Sequence, residues 1–150
     1  EKTYAQFHEA ASQLASCAKA WHIEASGKVY DKKYHAGASN LLQRKPTSIT
    51  KVEPPFVKTN VETIAIGVGR QTLYFFPDRV LVYDVNGVGA VNYNSLQVSV
   101  NPTRFIEEEG VPRDAEVVDR TWRYVNKSGG PDKRFKDNRQ IPICRYEQIS

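Results

Sequence analysis

Between Glu62 and Val100, short runs of β-branched and aromatic residues alternate with turn formers. Thr63–Val68, Thr72–Phe76, Val80–Asp84 and Gly89–Tyr93 are separated by Gly69-Arg70, Pro77-Asp78 and Asn86-Gly87. Runs of this length, bounded by Gly, Pro, Asn and Asp, predict strands joined by tight turns. Asn86-Gly87 predicts a type I′ hairpin turn, which requires positive φ at both central residues. The expected antiparallel meander fixes the architecture more firmly than any other stretch, and it names no activity.

On the N-terminal side, Tyr4, Phe7, Ala11, Leu14, Ala18 and Trp21 recur at steps of three and four. That spacing predicts an amphipathic helix over Thr3–Trp21 with Thr3 as its N-cap. The apolar stripe suits packing against a sheet, and it would equally suit a partner's groove. From His22 to Val61 the pattern weakens. Trp21–Glu24 and Lys28–Tyr30 predict a hairpin about Ser26-Gly27, and Ala36–Arg44 predicts a short helix with Leu41 and Leu42 facing inward. Lys45–Pro55, with its three prolines, predicts a loop with an edge strand carrying Ile49 and Val52.

Past the meander, Leu96, Val98 and Val100 alternate as a strand that ends at Asn101-Pro102. Glu107-Glu108-Glu109-Gly110 and Pro112-Arg113-Asp114 read as a solvated connection. Glu116–Val118 and Thr121–Val125 are the next strands, Asn126–Asp132 is a long turn, and Gln140–Tyr146 is the last strand. The expected fold class is α+β: a bent antiparallel β-sheet or partly open β-barrel of six to eight strands, with the N-terminal amphipathic helix packed on it.

Composition narrows the class of protein. A chain of 150 residues, 40% apolar and 25% charged, reads as a single globular domain, 1–150, excised from a larger protein. No apolar run approaches the roughly 20 residues that span a bilayer. Two cysteines, Cys17 and Cys144, predict buried free thiols and hence a cytoplasmic location. The charge of +4 is unevenly spread. Residues 61–119 carry four Lys/Arg against nine Asp/Glu, whereas 120–150 carry eight against three. Oppositely charged surfaces favour docking against a charged body or head-to-tail self-association.

The candidate chemistry is concentrated in Trp122–Arg139, where Arg123, Lys127, Lys133, Arg134, Lys136 and Arg139 surround a Gly-Gly-Pro-Asp turn with Phe135 as an anchor. Glycines let a backbone approach phosphates, and arginines offer them paired donors. Aromatic residues interleaved with basic ones suit single-stranded nucleic acid or an anionic ligand. The same turn also serves simply to reverse a strand.

Other motifs fall short. Gly67-Val68-Gly69 lacks the third glycine and the following helix of a dinucleotide fingerprint. Asp31 and Lys33 resemble half of a metal-dependent nuclease site, without the preceding Pro-Asp. His8, His22 and His35 share no ligand spacing and have no carboxylate companions in sequence. No cofactor is expected.

Leu73-Tyr74-Phe75-Phe76-Pro77-Asp78-Arg79-Val80-Leu81-Val82-Tyr83-Asp84, then Gly87–Val91, then Tyr93-Asn94-Ser95-Leu96-Gln97-Val98, resembles the core of bacterial pleckstrin-homology-like domains. In that family a strand ends in an Asp-Arg turn, an apolar strand follows, and a hairpin leads to a Tyr-bearing strand. The wider chain is similar to a bacterial domain family of unknown function. The family closes its barrel with a C-terminal helix, whereas the helical pattern here is N-terminal. The expected function is a non-enzymatic binding or regulatory module engaging a protein partner or forming a homo-oligomer. Weak nucleic-acid or anionic-ligand binding through Trp122–Arg139 is the second expectation, and a metal-dependent hydrolase is the third.

Overall fold

A computed structural model describes residues 2–28, 31, 34, 36–38 and 40–150. The element order is α1 (Lys2–Ala15), β1 (Ala20–Lys28), β2 (Asn40–Thr47), β3 (Ile49–Val52), β4 (Thr63–Val68), β5 (Gln71–Phe75), β6 (Arg79–Asp84), β7 (Gly87–Asn92), β8 (Val100–Ile106), β9 (Glu116–Trp122) and β10 (Gln140–Ile149). The described chain is therefore β-rich with one N-terminal helix, an α+β composition. Its strands form three open sheets, ordered β1-β2, β3-β4-β5-β6-β7 and β8-β10-β9, rather than one sheet or barrel of six to eight. Two compact units result, residues 1–24 with 44–97 and residues 25–43 with 98–150.

In the first unit the meander follows the predicted runs closely. Antiparallel pairing lines up Ile64, Phe75, Val80 and Val91 across one face, with Ile66, Leu73, Val82 and Gly89 in the neighbouring row. Helix α1 lies on this face: Phe7 sits 5.3 Å from Phe75 ring to ring, and the Tyr4 hydroxyl donates to the Phe75 carbonyl at 2.8 Å. The opposite face carries Ala65 and Tyr74, both buried. There the segment after β3 approaches, with Pro54 buried and the Pro55 carbonyl accepting from the Tyr83 hydroxyl at 2.8 Å.

The helix is shorter than the periodicity predicts. It closes at Ala15, where Ser16 N–H and Cys17 N–H donate to Gln13 and Leu14 carbonyls in a tightened last turn. Ala18 and Trp21 thus fall off the stripe, and Trp21 lies on β1 with the Arg44 guanidinium 4.1 Å above its ring. Spacing alone does not register that chain reversal.

Two further expectations for 21–44 are corrected. No turn forms at Ser26-Gly27, because β1 runs through both; Val29 and Tyr30 of the expected hairpin lie outside the described residues. Asn40–Thr47 is a strand and not a helix, with Leu42 half-buried. Ile49–Val52 is the predicted edge strand.

The turn at Asn86-Gly87 is displaced by one residue. Asp84 pairs with Gly87, so Val85 and Asn86 form the two-residue loop. Among the described residues only Ala36 and Phe56 are non-glycines with positive φ, so Asn86 lacks the type I′ conformation. The cause is the Asp84 carboxylate, which accepts the N–H groups of Asn86 and Gly87 at 2.7 and 3.1 Å and closes an Asx turn. Gly87 still carries φ 144°, a region side chains avoid. An added Cβ there meets nothing within 4 Å. Gly87→Val should therefore cost about 1–3 kcal/mol, all of it backbone strain, as read from denaturant midpoints at constant m-value.

The second unit is a three-stranded sheet centred on β10, which pairs antiparallel with β8 and β9. Ile141 and Cys144 are its buried centre. Strand β8 begins at Val100, and Leu96–Ser99 is not strand; a short 3₁₀ turn at Tyr93–Ser95 precedes it. Val98 and Val100 are exposed, against the predicted inward alternation. Pro102 does not end the strand but sits within β8, an edge strand whose outer side needs no ladder N–H. Thr121–Val125 does not form a separate strand: β9 runs unbroken from Glu116 to Trp122. Glu107, expected in a solvated connection, is buried and accepts from the Tyr146 hydroxyl at 2.8 Å.

Candidate functional site

The loop between β9 and β10 holds all six cations singled out by sequence. Its frame is built from polar side chains folded back on the backbone. Asn126 Oδ1 accepts from the N–H groups of Ser128 and Gly130 at 3.0 and 2.9 Å, closing the Lys127–Gly130 turn. Val125 and Pro131 form a bridge across it. Asn138 clamps the far side, its Oδ1 accepting from Tyr124 N–H and its Nδ2 donating to the Tyr124 carbonyl at 2.7 Å.

Asp132 is the hub, only 4% exposed. Its carboxylate takes Arg134 N–H, Nε and Nη2 at 3.1, 3.0 and 2.7 Å. A buried carboxylate with this many donors is well compensated. Arg134 is consequently committed to the frame, although its guanidinium remains largely exposed. Arg139 Nη2 donates to the Glu108 carbonyl at 3.3 Å, and the Arg123 guanidinium lies 5.4 Å from the Tyr124 ring. Among the described residues Lys127, Lys133 and Lys136 make no ion pair or hydrogen bond, and all three are exposed. The structure therefore brings the six into one loop but divides them: the arginines are engaged, and the lysines project freely.

Within the loop, Tyr124 and Phe135 stack at 4.1 Å and an interplanar angle of 11°. Tyr34 meets both edge-on, at 6.2 and 5.9 Å. Tyr34 is 53% exposed and was not recognised in the sequence, because nothing local marks residue 34 as a neighbour of 124 and 135.

A second feature lies on β7, at the edge of the five-stranded sheet. With Asp84 and Gly87 as the hydrogen-bonded pair next to the loop, alternation leaves the backbone N–H and C=O of Val88, Ala90 and Asn92 pointing outward. The strand Gly-Val-Gly-Ala-Val-Asn has no charge, no proline and no bulge, and Val88 is 55% exposed. Natural edge strands are usually blunted by such devices.

Other candidates resolve into structure. His8 does have a carboxylate companion: its Nε2 lies 3.3 Å from Glu62 Oε2, without hydrogen-bond alignment. His22 lies against Gly69, and its Nδ1 is buried without a partner among the described residues. Lys33 and His35 lie outside the described residues, and Asp31 is exposed. No group of three or more His, Cys, Asp or Glu suited to a metal occurs among the described residues. Cys17 is exposed, against the expectation of a buried thiol, while Cys144 is buried and free. Burial, then the neighbouring Glu107, pushes the Cys144 thiol pKa up, which disfavours the thiolate.

The charge segments also regroup. Of the nine acids in 61–119, only Glu62, Asp78 and Asp84 belong to the first unit. The other six lie in the second unit with the basic loop. No helix among the described residues is long and apolar enough to cross a membrane. No family model, curated protein or solved structure matches the chain.

Proposed function

We propose that this chain is a non-enzymatic binding module of a cytoplasmic bacterial protein, and that it associates through the open edge of β7 with β7 of a second copy. The observation that carries this reading is the uncovered, uncharged row of outward backbone groups at Val88, Ala90 and Asn92. Antiparallel pairing about Ala90 would set Val88 opposite Asn92 of the other copy, with no like charges facing each other. Such strand addition draws its affinity from main-chain hydrogen bonds. The pleckstrin-homology-like resemblance belongs to the same reading, supported by the antiparallel meander that its residues form in β5, β6 and β7.

Light scattering across a concentration series tests the pairing. The parent should be dimeric at high concentration. Ala90→Pro deletes one outward N–H at an edge position, where proline is tolerated, and should yield a folded monomer. A parent that stays monomeric throughout sinks self-pairing. A dimer that Ala90→Pro does not weaken places the contact elsewhere.

A further inference from the structure

We propose that the Arg123–Arg139 loop, with Tyr34, is a docking site for single-stranded nucleic acid taken without sequence preference. The proposal rests on a different element from β7 and does not depend on self-association.

Three observations converge. First, the loop is ordered by Asn126, Asp132 and Asn138, not by its lysines. Lys127, Lys133 and Lys136 contribute nothing to that frame among the described residues and leave their ammonium groups available to phosphates. Second, the acids within the loop do little to offset them: Asp132 is buried against Arg134, and only Asp137 remains exposed. Third, Tyr34 presents a half-open ring braced edge-on by the Tyr124–Phe135 stack.

A braced aromatic ring packed against the rings of a loop that carries unpaired lysines is a combination that can hold a single strand: cations track the phosphates and a base stacks on the ring. A duplex keeps its base faces covered and could use only the cations. A bilayer would call for an apolar wedge, yet no large aliphatic side chain between Arg123 and Arg139 is exposed.

Fluorescence anisotropy of the whole chain with labelled oligo-dT, against duplex DNA of equal length and against phosphatidylserine-containing vesicles, tests this. Oligo-dT should bind with a Kd of about 10⁻⁴–10⁻⁶ M near physiological salt, and log affinity should fall linearly with log salt. Replacing Lys127, Lys133 and Lys136 together by Ala should flatten that slope by about 2 units, at roughly 0.7 per phosphate contact for single strands. Tyr34→Ala should weaken oligo-dT roughly 5- to 100-fold with the slope unchanged. The triple variant should melt with the parent, so its effect is read on an intact fold. Equal affinity for duplex or for vesicles, a salt slope that survives the triple variant, or no oligo-dT binding at low salt would each overturn the proposal.

Discussion

Ile64→Ala should destabilise the first unit by about 2–5 kcal/mol, the range for emptying a large aliphatic site in a packed core. Ile64 is fully buried, at 0% exposure. It stands on β4, inside the row that runs through Phe75, Val80 and Val91. Its neighbour Phe75 is held from above by Phe7 of α1, so the cavity opens beneath a helix anchored at both Tyr4 and Phe7. Collapse into such a space is limited, which argues for the upper part of the range. Phe7→Ala gives the comparison. Phe7 is only half-buried and should cost less than Ile64 although it removes more atoms. Urea titrations of the two variants check the order, and a larger loss for Phe7→Ala would show that the helix contact outweighs the buried sheet row on the face they share.

The second large effect is expected at Asp132. Asp132→Ala removes the acceptor for three donors of Arg134 and should cost about 1.5–3 kcal/mol, the scale of hydrogen bonds to a charged group. Arg134 is exposed and can return to water, so no buried charge is stranded and the cost should not exceed that range. The loss should also appear locally. Tyr124 and Phe135 are joined to Asp132 through backbone hydrogen bonds at 3.0 and 3.2 Å, so their ring stack should loosen with it. Amide exchange in residues 124–138 should accelerate while that of β8 and β10 stays near the parent's. Uniform acceleration over the whole second unit would show that the loop is integral to the sheet's stability.

The meander was legible because each of its strands is announced locally, by β-branched and aromatic runs between Gly, Pro and Asp turns. β1 and β2 were not. Ala-Ser-Gly-Lys and Gln-Arg-Lys-Pro are poor strand sequences, and they are extended because β1 and β2 form a two-stranded sheet. The helix end was misplaced because Ala18 and Trp21 keep the spacing after the backbone has already turned. The cations of the candidate loop were visible as residues, but their division into engaged arginines and free lysines was not. That division depends on where Asp132 and Asn138 come to rest. Tyr34 and the outward groups of β7 depend on contacts or strand order that no local pattern encodes.

The asymmetry between the edges of the five-stranded sheet bears on how large an assembly could grow. β3, at the far side, includes Lys51 and runs into Glu53-Pro54-Pro55, a poor template for another strand. Pairing of β7 with β3 of the next copy would be head-to-tail and would leave a fresh edge each time, the route to an open filament. Pairing of β7 with itself would consume the more inviting edge of this sheet on both copies. Growth through this sheet would then stop at two, so the edge proposed for association would also cap the oligomer.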